Sequence, residues 1–134
     1  MPNRNVKSEM WTDPQIFDNF NRTDINTWLY LLTSPNTLLC GVVKGSLSMM
    51  SIQAKMSKEE FIKGIENLEH IHKLIKYDNE QNEILILNWH KHNWTSSEKL
   101  IASVRKSLCS VKNKGFIEYV ENTLEQYSNK DKKK

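Results

Sequence analysis

Glycine is scarce in this sequence. The 134 residues include only four glycines, and Gly41, Gly45, Gly64 and Gly115 stand apart from one another. A phosphate-cradling loop needs several glycines close together, so P-loop and dinucleotide-binding fingerprints are absent. Neither a nucleophile elbow nor a paired-carboxylate metal motif occurs. The sequence therefore predicts a protein that is not an enzyme and that uses no cofactor.

Cysteine and long apolar runs are also scarce. Cys40 and Cys109 are the two cysteines and lie far apart in the chain, so a reduced cytoplasmic protein is the simplest interpretation. No apolar run approaches the roughly 18–20 residues that cross a bilayer. The N-terminal residues contain no apolar stretch typical of a secretory signal. We therefore expect a cytoplasmic protein with no membrane partner.

Excess charge is absent from most of the chain. The formal net charge is +3, but residues 1–95 hold ten Lys or Arg against eleven Asp or Glu. Residues 96–129 hold five basic and four acidic residues, and residues 130–134 hold four basic and one acidic. The net charges of the three segments are therefore −1, +1 and +3, so the net charge of the whole chain equals that of the Lys-rich tail. Composition alone does not indicate a basic nucleic-acid-binding surface.

Apolar periodicity indicates a helix, a short strand, two helices and a hairpin, followed by two more helices. The predicted segments are a helix capped by Thr23 or Asp24, a strand over 38–43, a helix from Ser46 to about 55, a helix opened by the capping box of Ser57 and Glu60, strands over 71–77 and 83–88, a helix over 97–112 and a helix over 116–127. The predicted fold is mainly α with a small β-hairpin. This element order is typical of a winged helix-turn-helix with a C-terminal helical extension. We expect a winged-helix domain over 1–95, the extension over 96–128 and a disordered tail over 129–134.

The helix that begins after Ser57 is the natural recognition helix of such a fold. Its candidate DNA-binding residues, whose side chains can read base edges or hold phosphates, are Ser57, Lys58, Lys63 and Asn67. The same helix carries four acidic residues, which would repel phosphates. The alternative interpretation is a core helix with a solvated charged face.

The polar loop 78–82 at the predicted hairpin tip offers two acids and no base. Lys73 and Lys76, on the preceding strand, are the better candidates for phosphate contact. The helix from Ser97 is the only basic helix, with Lys99, Arg105, Lys106 and Lys112 as candidate contacts to the DNA backbone. Its alternative interpretation is an amphipathic helix packed on the domain or on a second subunit.

The segment NWHKHNW, at 88–94, is the most unusual stretch of the sequence. Read as an extended segment, it places His90 and His92 on one side. Two histidines do not complete a zinc site, which needs three or four ligands, so no metal is predicted. We expect Trp89 to pack onto the hairpin while the histidines stay partly exposed. Trp94, with His92, is a candidate partner-binding residue if its ring is exposed.

Several stretches also resemble a known family. MWTDPQIFDNF, TWLYLLTSPNTLLCGVV, MSKEEFIKGIENLE and ILILNWHKHNW, followed by SEKLIASVRKSL, resemble phage and prophage replication proteins of low-GC Gram-positive bacteria. Their N-terminal domain is a winged helix similar to that of DnaD-type primosomal proteins, where it mainly drives self-association. Larger members carry a further C-terminal domain that binds DNA or the helicase loader. The resemblance, over roughly residues 8–125, implies the fold and a single-domain accessory or regulatory role in a bacterial host's cytoplasm.

Three functions from different classes follow from these observations. The first is a DNA-associated replication or regulatory factor that acts as a non-catalytic scaffold and forms a homo-oligomer. The second is a protein-interaction module that docks on a host or phage replication protein, or on a nucleic-acid enzyme, without binding DNA itself. The third, a metal-dependent enzyme, rests only on the two histidines.

Overall fold

The computed structural model describes residue 6 and residues 8–95 and 97–132; for Glu9, Phe17, His92 and residues 128–132 it describes the backbone only. The elements are a 3-10 turn (Ser8–Trp11), α1 (Pro14–Asn19), α2 (Arg22–Thr33), β1 (Val42–Lys44), α3 (Leu47–Gln53), α4 (Lys58–Glu66), a π-helical turn (Asn67–Ile71), β2 (Ile75–Asp78), β3 (Glu83–Ile86), α5 (His90–Asn93), α6 (Glu98–Ser107), a 3-10 turn (Leu108–Ser110) and α7 (Lys114–Lys132). The protein is mostly helical with one small antiparallel sheet. The coarse prediction, mainly α with a small hairpin, is confirmed.

The sheet has the strand order β1-β3-β2, with β3 in the centre. Val43 pairs with Ile84 on one side of β3, and Tyr77 pairs with Ile84 on the other. All four residues of β3 are buried, and the first of them is the charged Glu83. The hairpin predicted around a polar loop is therefore present, and the short strand before α3 joins it as a third strand.

Side-chain caps define where the helices begin. Ser46 accepts from Met49 N at 3.2 Å, and Ser57 accepts from Glu60 N at 3.1 Å, as predicted for both helices. The prediction for α2 is wrong, because Asn21 and not Thr23 or Asp24 is its cap. Asn21 and Asp24 exchange two hydrogen bonds in a reciprocal capping box, so the helix begins at Arg22.

Two glycines allow close approaches between elements. A Cβ atom on Gly64 of α4 would lie 2.1 Å from Thr27 Oγ1, so α2 and α4 can cross closely only without that side chain. Gly41 has a φ of +92°, and a Cβ atom there would lie 2.8 Å from the side chain of Trp89. Both glycines therefore set how elements pack around the sheet.

The predicted strand over 71–77 is shorter than expected. The chain continues from α4 through a π-helical turn to Ile71, and Leu74 N then donates to Leu68 O at 2.9 Å. Lys73 has a φ of +56°, which turns the chain into β2 only at Ile75. Helical hydrogen bonds thus use backbone groups that a strand over 71–74 would have needed.

The two C-terminal helices also differ from their predicted limits. α6 ends at Ser107 rather than near 112, and α7 runs from Lys114 to Lys132 rather than over 116–127. The helix α7 extends past residue 128 to Lys132, and the prediction of a disordered tail over 129–134 stays a prediction. One hydrophobic cluster joins residues on both sides of position 96, from Leu31 and Ile84 to Val104 and Val120.

Candidate nucleic-acid interface

α4 presents only part of its predicted recognition surface. Lys58 and Lys63 are exposed, and Ser57 uses its hydroxyl to cap the helix. Asn67 is buried and donates its side-chain amide to Asp24 Oδ1 at 2.8 Å. The Asn67 side chain, a predicted candidate for contact with a base edge, is therefore not exposed, and its amide is already used inside the protein.

The acidic residues of the same helical segment have two different environments. Glu59, Glu60 and Glu66 are exposed beside the two lysines. Glu69, in the π-helical turn, instead accepts from Tyr77 N at 2.7 Å and so joins the helix to β2. The exposed face of α4 therefore carries more acidic than basic residues, and its electrostatic potential would both attract and repel the phosphates of a DNA duplex.

The hairpin exposes its lysines, whereas its Asp78 carboxylate bonds within the protein. Lys73 and Lys76 are exposed, as a phosphate contact requires. Asp78 accepts from Gln81 N and Glu80 N and, at 2.6 Å, from Asn113 Nδ2. These bonds, chiefly the one from Gln81 N, lower the pKa of Asp78. The tip carboxylate thus shapes the turn and reaches the C-terminal helices.

Glu83 makes the main polar connection between the hairpin and those helices. Its carboxylate is fully buried and accepts from Lys112 N and Asn113 N, each at 2.8 Å. Lys44 Nζ lies 3.5 Å from the same carboxylate and also donates to Ser110 O. The segment 111–113 is held in this way, which is why α6 does not continue to 112 as predicted.

α6 is anchored by its apolar side and exposes its cations. Val104 is fully buried, and Leu100 and Ile101 are half-buried. Lys99, Arg105 and Lys106 are exposed on the helix, and Lys112 is exposed just beyond it. At the end of α6 the Ser107 side chain contacts buried Cys40, where burial raises the pKa of the thiol. A fixed helix therefore displays a basic surface.

The NWHKHNW segment is not extended, because its centre forms the short helix α5. Trp89 Nε1 and Trp94 Nε1 both donate to Leu39 O, at 2.9 and 2.8 Å. Trp94 is only 8% exposed, so the condition for its role as a partner-binding residue, an exposed ring, is not met. Its indole packs against His90 and Tyr127 at centroid distances of 5.8 and 5.7 Å. The side chain of His92 lies outside the described part of the structure.

A buried polar cluster around Asp24 was not predicted. Asp24 Oδ2 lies 2.9 Å from His72 Nε2, while Oδ1 accepts from Asn67, and all three side chains are at least nine-tenths buried. Gln15 donates to His72 O at 3.1 Å, and the Phe20 ring lies 4.3 Å from the His72 ring. The cluster ties α1, α2 and the end of the α4 segment together. No sequence motif predicts this cluster, because its residues are spread over positions 15–72.

A cleft of about 630 Å³ lies between the N-terminal elements and the end of β3, with apolar walls that include Ile16, Trp28 and Ile86. Its charged residues are Asp13, whose carboxylate accepts from Gln15 N to cap α1, and exposed Lys91. Such walls suit apolar contact better than acid–base chemistry. Across the described residues, no three His, Cys, Asp or Glu side chains are grouped so that they could hold a metal ion.

Within the same described ranges, no helix is both long and apolar enough to cross a membrane. Of the ten predicted DNA-binding residues, eight are exposed cations, one is a helix cap and one is buried. Comparisons of this chain with protein-family models, with curated proteins and with solved structures found no match.

Proposed function

We propose that this chain is a DNA-associated, non-catalytic scaffold with a winged-helix fold. The topology supports the fold, because a helix, a strand, two helices and a hairpin follow in order and the first strand pairs with the last. The closely crossed α2 and α4, with α3 between them in sequence, form the helical part of such a domain. The resemblance to phage and prophage replication proteins supports a replication or regulatory role in a bacterial cytoplasm.

The observation that carries the DNA-binding proposal is the exposed basic face of α6. Lys99, Arg105 and Lys106 form no ion pair with any described residue, so their charges are available to phosphates. Buried Val104 and the Glu83 junction hold the helix that carries them. A rigid array of cations binds DNA backbone with an affinity that depends on salt and little on sequence.

The exposed lysines of α4 and the hairpin make a smaller contribution. Lys58 and Lys63 lie beside three exposed glutamates, whose repulsion of phosphates offsets their attraction. Residues 73–77, which include Lys73 and Lys76, contain no acidic residue that would offset their attraction of phosphates. These lysines therefore serve as a comparison set for the α6 cations.

A second candidate function is a protein-interaction module that does not bind DNA. The observation that favours it is an uncharged exposed face on α3, where Ile52 is 71% and Met49 45% exposed. Exposed apolar side chains of this size are a common feature of protein-binding surfaces. The partner would be a replication protein or a nucleic-acid enzyme.

The two functions are separated by DNA binding at low and moderate salt. Fluorescence anisotropy of labelled duplex and single-stranded DNA would compare the full chain with the variant K99Q/R105Q/K106Q. We expect the variant to lower the slope of log affinity against log salt by about 2 to 3, since each lost phosphate contact contributes about 0.9. The matched control K58Q/K63Q/K76Q removes three exposed charges from α4 and β2 and should change the slope less.

Two outcomes would contradict the DNA-binding proposal. One is no binding of either DNA by the full chain at low salt, which, together with a tight protein partner, favours the interaction module. The other is binding that persists in the α6 variant but is lost in a chain ending at Asn129, which would assign the attraction to the Lys-rich tail alone.

A further inference from the structure

α7 carries an acidic stripe on the side that faces away from the protein core. Phe116, Val120 and Leu124 are buried on one side of the helix. Glu118, Glu121 and Glu125 are exposed on the other. Their spacing of i, i+3 and i+7 places the three carboxylates on a single face. We refer to these three residues as the acidic stripe.

α6 carries exposed cations at the two ends of a matching spacing, with an alanine between them. Lys99, Ala102 and Lys106 are exposed at i, i+3 and i+7, and Arg105 is exposed beside them. Lys99 and Lys106 are therefore about 10.5 Å apart along the helix axis, as are Glu118 and Glu125. The small Ala102 at the middle of this basic face allows another helix to approach closely.

Neither surface is neutralised by the side chains that the structure describes. In the part of the molecule that is described, none of the three carboxylates of the acidic stripe and none of the cations Lys99, Arg105 and Lys106 forms an ion pair. The acidic stripe and the basic face are thus opposite in sign and both solvent-exposed, and the separation of Lys99 and Lys106 matches that of Glu118 and Glu125. A partner that neutralises both surfaces at once must itself carry one basic and one acidic surface.

We propose that the partner of these two surfaces is a second copy of this chain, with α7 of each copy lying antiparallel along α6 of the other. In this register Glu125 faces Lys99, Glu118 faces Lys106, and Glu121 lies near Ala102 and Arg105. The proposed dimer has a two-fold axis, so that each copy contributes its α6 to one contact and its α7 to the other. The predicted homo-oligomer is thereby assigned a specific surface.

This association has a consequence for DNA binding. The same α6 cations that we propose to contact DNA are covered by the second copy's carboxylates. DNA and self-association therefore compete for one surface, and the acidic stripe acts as a substitute for phosphate. The competition rests on the proposed function, whereas the self-association does not.

The contact is electrostatic and accessible to water, so it should be weak and sensitive to salt. We expect the dissociation constant of the dimer to rise at least about tenfold between about 20 mM and about 300 mM salt. The reason is that the Debye length shortens as salt is added, so the attraction between the exposed charges of the two copies is screened. Sedimentation velocity of the full chain over a range of concentrations measures this change.

Charge reversal provides the decisive experiment. One variant carries E118K/E121K/E125K, and the other carries K99E/R105E/K106E. Each should sediment as a monomer at low salt, because its α6 and α7 then have charges of the same sign. An equimolar mixture should restore the dimer, since each interface again joins one basic helix to one acidic helix.

Controls keep the result interpretable. The variant E59K/E60K/E66K reverses three exposed acids on α4 and should sediment like the wild type. The neutral variant E118Q/E121Q/E125Q should weaken the dimer without introducing repulsion, and circular dichroism should show that each variant is folded. The proposal is overturned if the wild type stays monomeric at low salt, if either reversed variant still dimerises alone, or if the mixture fails to associate.

The DNA measurements separate this inference from the proposed function. If the dimer forms and responds to charge reversal but no variant binds DNA, the proposed function fails and the self-association stands. If the wild type binds DNA through α6 but the sedimentation results do not depend on the acidic stripe, the self-association fails alone. If both hold, E118K/E121K/E125K should bind duplex DNA at least as tightly as the wild type.

Discussion

Asp24 and Glu83 are both buried carboxylates, but they are satisfied in different ways. Asp24, on α2, is held mainly by side chains, those of His72 and Asn67, far along the chain, with a longer bond of 3.3 Å from Asn21 N. Glu83, on β3, is held mainly by the backbone amides of Lys112 and Asn113. The first junction joins helices within the N-terminal part, and the second fastens the C-terminal helices to the sheet.

The difference determines what each junction requires of the sequence. A side-chain partner must be a residue of a particular type, so the Asp24 cluster depends on three identities at once. A backbone amide is present in every residue except proline, so the Glu83 junction depends on Glu83 and on the path of the chain at 111–113. The two junctions should therefore respond differently to mutation of their partners.

The largest effect is expected for D24A. It leaves buried His72 and Asn67 without their acceptor and removes half of the α2 capping box, so the free energy of unfolding should fall by about 3–5 kcal/mol. Urea unfolding followed by tryptophan fluorescence measures this change. D18A, at an exposed acid of α1, is the control and should change stability little. A loss below about 1 kcal/mol would show that the buried cluster is not a stabilising junction.

E83A should have the next largest effect. Two amides of the 111–113 segment lose a charged acceptor, which we expect to lower the free energy of unfolding by about 2–3 kcal/mol. The loosened end of α6 should also admit a thiol reagent to Cys40, which is 2% exposed in the intact structure. E80A, at the exposed hairpin tip, should leave both readouts near the wild type. Unchanged Cys40 labelling in E83A would contradict the role assigned to Glu83.

Alkaline pH provides a graded test of the same C-terminal junction. Burial raises the pKa of the Cys40 thiol, so the unfolded chain releases this proton at a lower pH than the folded protein does. Stability should therefore fall as pH rises above the usual thiol pKa of roughly 8.5, by up to about 1.4 kcal/mol per pH unit. Chemical unfolding under reducing conditions should show this slope, and C40A should flatten it. An equal slope in C40A would assign the effect to other groups.

K112A should have the smallest effect. The side chain of Lys112 is exposed, and the bond to Glu83 uses its backbone amide, so stability should change by no more than about 0.5 kcal/mol. H72A, which removes a side-chain partner of Asp24, should cost several times more. If K112A and H72A lowered the free energy of unfolding by similar amounts, the distinction between a backbone-held and a side-chain-held carboxylate would be contradicted.

Local patterns predicted most of the elements. Ser46 and Ser57 marked the starts of α3 and α4, and the polar loop 78–82 marked the hairpin, because caps and turns are decided by neighbouring residues. The limits of β1, β2, α6 and α7 were not predicted. Glu83, on a distant strand, binds the amides of residues 112 and 113, which were predicted to be helical, and a π-helical turn uses the residues before β2.

The candidate site was predicted unevenly for the same reason. The lysines and arginine of α4, the hairpin and α6 are exposed as expected, since charged side chains rarely leave water. Asn67 was a candidate for contact with DNA, and Trp94 was a candidate for contact with a partner if exposed. Both are buried, because each donates to an acceptor inside the protein, at Asp24 and at Leu39 O. A polar or amphipathic residue can satisfy its hydrogen bonds in either place, so its type does not reveal which.

The sequence by itself determined the helical content, the hairpin and the location of the positive charge in α6 and the tail. Those properties depend on local propensity and on ionisation, which each residue carries wherever it lies. Only the tertiary structure decided that Asp78 and Glu83 of the hairpin fasten the C-terminal segment, that Asp24 and His72 form a buried pair, and that the cations of α6 and the acids of α7 are both left exposed. These are relations between distant residues, and they exist only after burial has selected which groups face each other.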